Sequence, residues 1–128
     1  MGKQIYSLYT VLEARKAKDI DKFVSSSNTY LKNYSKKDAT ELNQYAWEVY
    51  ELEQANEKHL KTALKWGLKS VKLDSKYYNN DTVAALYYRL KNKEKARKYA
   101  EEAIALGLKE EEDTNETKNL LKKINALP

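Results

Sequence analysis

The stretch VAALYYRLKNKEKARKYAEEAIAL, residues 83–106, carries alanine at the spacing of helix turns among tyrosines, lysines and glutamates. Alanines fill a core poorly, so a helical stretch that uses several of them needs another reason for them. An earlier part of the chain, residues 44–73, repeats the pattern when it is laid beside 82–106. The paired small residues are Ala84 with Ala46, Ala96 with Ala63, Ala100 with Gly67, and Ala103 with Ser70. We interpret them as spacers at which helices approach closely, and their pairing as an internal repeat.

Composition restricts the class of protein. A chain of 128 residues forms one domain, 1–128, and 41% aliphatic and aromatic residues are enough for a core. No apolar run approaches the roughly 18 residues that a membrane span requires. Because the chain has no cysteine, disulfides, thiolate chemistry and cysteine-bound metal are excluded. Either the periplasm or the cytoplasm suits such a domain.

Periodicity and turn signals predict an all-α fold of about seven helices. Few glycines and prolines leave little material for β-hairpins. The predicted helices are 3–17, 20–34, 39–54, 58–74, 79–91, 93–108 and 114–126. Short connections make them antiparallel hairpins at about 3–34, 39–74 and 79–108. The last helix, 114–126, has one apolar face and a polar back, which predicts a C-terminal capping helix.

Local signals mark the ends of several helices. Asp38 with Glu41 and Asp113 with Glu116 have the spacing of capping boxes, and Asn80-Asp81 supplies N-cap side chains. Met1-Gly2 is typical of an expression scar, which indicates an excised part of a longer protein. A short native protein is the alternative.

The repeat resembles the tetratricopeptide family. From Ala63 to Ala96 is 33 residues, against a family period of 34. Ala96-x3-Ala100 and Ala63-x3-Gly67 stand at the family's A-x3-F segment. The resemblance implies a right-handed α-α superhelix of hairpins. The chain departs from the family pattern where Phe23 replaces a small residue of the first hairpin, and where ELEQANEKH (51–59) adds five residues. A generic array of helical hairpins is the alternative.

The same resemblance implies that a protein or peptide binds in a concave groove lined by the first helix of each hairpin. The residues that it places on the groove are Asn43, Trp47, Tyr50, Tyr78, Asp81, Ala85, Tyr88 and Arg89. Aromatic residues beside arginine and asparagine are typical of binding surfaces. The alternative is that a neighbouring hairpin covers Trp47 and Tyr88, which would then belong to the core.

A second, looser resemblance concerns the context of the domain. ELNQYAWEVYE (41–51), followed by a basic helix and a hairpin, is similar to the helical region after the thioredoxin-fold domain of some bacterial thiol–disulfide proteins. It implies an upstream thioredoxin-fold domain in the parent chain as a partner.

Lysines mark one face of the fourth predicted helix. They are Lys58, Lys61, Lys65, Lys69, Lys72 and Lys76, called here the lysine stripe. One interpretation is a ridge that binds nucleic acid or another anion. The favoured interpretation is the solvated back of an amphipathic helix, because the stripe has no arginine or interleaved aromatic and the net charge is only +5. A domain for self-association, or one that braces its parent, is a third possibility.

Nothing in the sequence predicts an enzyme. Nucleophilic catalysis needs an activated side chain beside a base, and the only histidine, His59, is expected to face solvent. One histidine cannot anchor a metal site, and the contiguous acidic run 110–113 lacks the glycine of a calcium loop. We therefore expect no catalytic residues, metal or cofactor.

Overall fold

The computed structural model describes residues 2–128, which contain seven helices and no strand. The helices are α1 (Lys3–Lys16), α2 (Ile20–Tyr34), α3 (Ala39–Glu51), α4 (Glu57–Leu73), α5 (Tyr77–Arg89), α6 (Lys93–Lys109) and α7 (Asn115–Asn125). The predicted all-α class and the number of helices are confirmed. Met1, half of the supposed expression scar, lies outside the described residues. Between residues 2 and 128, no helix has the length and apolar character needed to cross a membrane.

Neighbouring helices pack in pairs and the pairs stack. α1 packs on α2, α3 on α4, and α5 on α6, while α7 packs on α6. Stacking is made by α4 against α5 and by contacts between every second helix, α2 with α4, α3 with α5, and α5 with α7. The odd-numbered helices α3, α5 and α7 are therefore neighbours, and they share one side of the stack.

Small residues lie buried at close contacts between helices. Ala46, Ala84 and Ala96 have no exposed surface, and Gly67 of α4 lies against α5. A Cβ added at Gly67 would lie 3.1 Å from Cγ2 of Val83 and 3.9 Å from Cβ of Ala46. Because a side chain there would press on both α3 and α5, the glycine allows the close contact that joins two hairpins.

Three turns share a residue with left-handed backbone conformation, although none of these turns contains glycine. Lys18, Lys91 and Glu111 have φ values of 57°, 62° and 59°, in the left-handed region. In the α1–α2 turn, Lys18 N–H donates to the Arg15 carbonyl and Asp19 N–H donates to the Ala14 carbonyl, which is the Schellman pattern. The α5–α6 turn repeats it with Lys91 and Asn92. Asp19 and Asn92 then cap the next helix through their side chains, so first and third hairpins turn alike.

Aromatic packing joins the first hairpin to the second. Phe23 is buried and stacks on Tyr45 with ring centroids 6.5 Å apart. Tyr45 also stacks on Tyr30 at 5.9 Å and meets the edge of Trp66 at 6.4 Å. Phe23, Tyr30, Tyr45 and Trp66 therefore form one aromatic cluster across the first two hairpins.

Two cap predictions are wrong. Asn80 does not begin its helix: α5 begins at Tyr77, and the Asn80 amide donates to the Lys76 carbonyl inside the first turn. The Asp113–Glu116 capping box does not form, since the Asp113 carboxylate accepts instead from Asn115 N–H, two residues on. At the start of α3, Asp38 accepts from Glu41 N–H as predicted, while the Glu41 carboxylate accepts from Ser35 Oγ.

The expectation that His59 faces solvent is also wrong. His59 is buried, with Nδ1 accepting a 3.0 Å hydrogen bond from Asn56 N–H. Nε2 therefore carries the proton and donates to Asp21 of α2 over 2.6 Å. The side chain thus closes the cap of α4 and ties α4 to α2. Contacts across 38 residues of sequence decide its environment.

Candidate functional site

Four of the predicted groove residues lie together. Trp47 and Tyr50 of α3, with Asp81 and Ala85 of α5, line an open cavity of about 250 Å³. Its remaining wall comes from α7, which supplies Glu116, Asn119, Leu120 and Lys123. We call this site the α3–α7 cavity. The helix expected only to cap the stack therefore contributes half of the lining, which no local sequence signal indicated.

The aromatic wall of the α3–α7 cavity is one tilted pair. The rings of Trp47 and Tyr50 have centroids 4.8 Å apart, with 30° between their planes. Both side chains are partly buried, and Trp47 belongs to neither of the buried hydrophobic clusters. A tryptophan that is partly buried in a concave site still offers apolar surface to a ligand.

Asp81 forms the polar floor of the cavity. Its Oδ1 accepts a 2.6 Å hydrogen bond from Thr117 Oγ1, and Thr117 Oγ1 also pairs with the Tyr77 hydroxyl at 2.8 Å. Thr117 is fully buried, so this chain of hydroxyls fixes α7 against α5. Burial raises the pKa of the Asp81 carboxyl above its usual value, the Thr117 hydrogen bond lowers it, and the negative charge of Glu116 raises it.

Arg89 lies outside the α3–α7 cavity and has a structural partner. Its guanidinium donates to carbonyls at the end of α3 and in the connection that follows. The acceptors are Tyr50 (2.6 Å), Leu52 (2.9 Å), Glu53 (3.3 Å) and Ala55 (3.2 Å). The extra residues of ELEQANEKH thus form a longer α3–α4 connection whose carbonyls one arginine satisfies. The sequence indicated the insertion but not the side chain that holds it.

The other groove residues do not line the cavity. Tyr78 is exposed at the start of α5. Tyr88 is partly buried and packs against the cluster around Val83 and Ala96. Asn43 is partly buried, and its Oδ1 is fully buried without a hydrogen-bond partner in residues 2–128. Of the eight predicted groove residues, only Trp47, Tyr50, Asp81 and Ala85 therefore line one concave site.

Every lysine of the lysine stripe is exposed. Lys61 pairs with Glu57 one turn earlier on α4, with 2.9 Å between Nζ and Oε1. Lys58, Lys61 and Lys65 border an open depression that has no aromatic lining. This arrangement matches a solvated helix back and offers no platform on which a base could stack.

A second concavity lies where the α1–α2 turn meets the end of α3. It measures about 460 Å³ and is lined largely by apolar groups, with Phe23 and Leu52 among them. At its edge, Arg15 of α1 makes two hydrogen bonds to Glu48 of α3, of 2.6 and 2.9 Å. The guanidinium also lies 5.1 Å from the Phe23 ring centroid. Sequence reasoning missed this ion pair because 33 residues separate its partners.

Residues 2–128 hold no group of three histidine or carboxylate side chains that could bind a metal ion. Comparisons with protein-family models, with curated proteins and with solved structures found no match.

Proposed function

We propose that this chain is a tetratricopeptide-like superhelical array that binds an extended segment of another protein in the groove between α3, α5 and α7. The observation that carries the proposal is the α3–α7 cavity, in which Trp47, Tyr50 and Asp81 converge although 31 residues of sequence separate Tyr50 from Asp81. The resemblance to the tetratricopeptide family implies a groove lined by the first helix of each hairpin, and these are the odd-numbered helices.

The arrangement of helices supports the superhelical part of the proposal. α3 contacts α5 and α5 contacts α7, so these three helices form a continuous row. Repeated contacts between neighbouring units are how open repeat stacks bury a continuous core. The shared Schellman turns at Lys18 and Lys91 give two hairpins the same geometry at their tips.

The size of the cavity favours a peptide over a small metabolite. Sites for small molecules usually measure about 300–1,000 Å³ and enclose most of the ligand. The α3–α7 cavity, at about 250 Å³ and open to water, has room for one side chain. A ligand that gains enough affinity must therefore extend along the groove beyond it, as a peptide does.

Selection from a random peptide library displayed on phage tests this function. We expect enriched peptides whose affinity falls by about 2 kcal/mol or more in Trp47→Ala, because a partly buried aromatic in a concave site is typical of a hot spot. Tyr78→Ala is the matched control, since Tyr78 is exposed on α5 outside the cavity. Failure to enrich any peptide, or equal losses in both variants, would contradict the proposal. Melting temperatures near wild type show that both variants fold.

The exposed surface of α1 favours a second candidate function, self-association. Ile5, Tyr6, Tyr9 and Leu12, called here the α1 face, are 57%, 67%, 54% and 49% exposed. They lie on the side of α1 opposite its buried Val11 and Ala14. Contiguous exposed apolar side chains of this kind are typical of interaction surfaces.

Analytical ultracentrifugation decides this second candidate. If the α1 face mediates self-association, the wild type should dimerise in the micromolar range and the double variant Ile5→Lys, Tyr9→Lys should be monomeric. Both positions are exposed, so the variant should fold. A wild type that is monomeric throughout that range would exclude the candidate.

A further inference from the structure

The α3–α7 cavity combines an aromatic wall with carboxylates. Trp47 and Tyr50 form the wall on α3, Asp81 lies on α5, and Glu116 lies on α7. Among residues 2–128, neither carboxylate takes part in an ion pair. Elsewhere in the structure, Glu48 and Asp21 face Arg15 and His59 at hydrogen-bond distance. The cavity is thus a concave site in which two carboxylates lie beside an aromatic pair without an ion pair in residues 2–128.

We propose that the α3–α7 cavity receives a lysine or arginine side chain of the bound peptide, an inference that rests on the proposed function. The aliphatic stem would pack on the Trp47–Tyr50 pair, and the charged head would meet Asp81 and Glu116. A cation over an aromatic face gains from the ring quadrupole, most strongly over tryptophan. A charge-assisted hydrogen bond to a carboxylate adds to that attraction.

The state of Asp81 supports this assignment. One of its oxygens, Oδ1, accepts from Thr117, so Oδ2 remains for a ligand. Burial raises the pKa of this carboxyl, which means that the folded protein bears an unfavourable negative charge at neutral pH. A bound cation would offset that charge. Carboxylates kept at such a cost are found preferentially in functional sites.

Lys123 of α7 is the one cation that lines the same cavity. It is exposed and pairs with neither carboxylate, so a ligand can displace it toward water. Its charge should oppose a cationic ligand. The net charge of +5 opposes one as well and favours acidic peptides in general. Preference for a basic side chain would therefore have to arise in the cavity itself.

NMR titration of the whole chain with capped tripeptides tests the inference. The probes are acetyl-Ser-Arg-Ser-amide, acetyl-Ser-Lys-Ser-amide and acetyl-Ser-norleucine-Ser-amide, in which norleucine keeps the stem and lacks the charge. The reporter is the indole N–H of Trp47. The indole N–H of Trp66 is the internal control, because it is buried and donates a 2.9 Å hydrogen bond to Asn28.

We expect the basic tripeptides to shift the Trp47 signal with an affinity about fivefold higher than the norleucine probe, without moving Trp66. Asp81→Asn should remove this preference, while Lys123→Gln should strengthen it. The asparagine can still accept from Thr117, so the fold should survive. Equal affinity for lysine and norleucine, or a preference that Asp81→Asn leaves intact, would overturn the inference.

The phage selection separates this inference from the proposed function. Peptides that depend on Trp47 and share a basic position support both. If peptides depend on Trp47 but share no basic position, the groove binds peptides and the inference fails. If no peptide is enriched and no tripeptide shifts Trp47, the proposed function and the inference both fail.

Discussion

α1 and α7 lie at the two ends of the stacked hairpins, and they present different surfaces to water. α7 buries Thr117 and Ile124 against the stack and exposes polar residues such as Lys118 and Lys122. α1 buries Val11 and Ala14 and exposes the α1 face. An open stack leaves an apolar surface at each end unless a terminal helix with a polar back covers it. Residues 115–125 therefore present a mainly polar surface, whereas α1 leaves the α1 face exposed.

The two ends also treat carboxylates differently. Near α1, Glu48 is held by Arg15 in a bidentate pair, and the Glu48 carboxylate raises the pKa of that arginine. Near α7, Asp81 has only the Thr117 hydroxyl within hydrogen-bond distance. The first arrangement stabilises the contact between α1 and α3. The second leaves a carboxylate without an ion pair beside an aromatic pair, which is an arrangement expected of a binding site.

The largest difference between the ends should appear when isoleucine is truncated. Ile124 has no exposed surface, so Ile124→Ala should cost about 2–5 kcal/mol of unfolding free energy through lost burial and a cavity. Ile5→Ala, at a residue 57% exposed, should change it by less than about 0.5 kcal/mol. Urea unfolding of both variants measures the contrast. A large loss in Ile5→Ala would mean that the α1 face is covered in solution.

The next largest difference in stability between the two ends should appear when a buried alanine is replaced by leucine. Ala84 is fully buried in the cluster that α5 forms with α6 and α7, so Ala84→Leu should cost about 1–3 kcal/mol. Ala14 of α1 is also buried but lines the 460 Å³ concavity, where a larger side chain has room. We expect Ala14→Leu to cost less than about 1 kcal/mol. Thermal melts compare the two, and an unchanged melt for Ala84→Leu would show that Ala84 is no spacer.

Neutralising one carboxylate at each end should change the unfolding free energy in opposite directions. Because the pKa of Asp81 is raised in the folded state, the folded protein binds this proton more tightly than the unfolded chain does. Stability should therefore fall as pH rises from the usual carboxyl pKa through the raised one. Asp81→Asn should remove that fall and stabilise the protein at neutral pH.

Glu48→Gln is the matched variant at the other end. It breaks the pair with Arg15, whose side chain is 38% exposed, so it should destabilise by at most about 1 kcal/mol. Urea unfolding at a series of pH values gives both results. The comparison fails if the two substitutions shift stability in the same direction at neutral pH.

The smallest effects should be equal at the two ends. Lys18 and Lys91 hold left-handed backbone at equivalent Schellman turns, which is costly for a residue with a Cβ. Lys18→Gly and Lys91→Gly should each stabilise by about 0.5–1 kcal/mol. Lys65→Gly, at an exposed position inside α4, is the control and should destabilise by about 1 kcal/mol. Unequal gains in thermal melts would show that the two turns are not equivalent.

Helix number and the places of the turns were predictable because they depend on neighbours in sequence. Alanine spacing and cap residues such as Asp38 act within a few residues, and the structure has the corresponding helices. The errors at Asn80 and Asp113 are of the same local kind, since several polar residues competed for one cap. Of the predicted groove, Trp47, Tyr50, Asp81 and Ala85 share one cavity, and the remaining residues lie elsewhere.

What the sequence by itself determined is the set of helices and the small residues that bring them together, because periodicity and residue size are local properties. Tertiary structure alone decided the partners of the polar side chains. Arg89 holds a connection at least 34 residues earlier in the chain, His59 meets Asp21, and Asp81 meets Thr117. Hydrogen bonds form over about 3 Å, and only the packed helices bring such distant residues within that range.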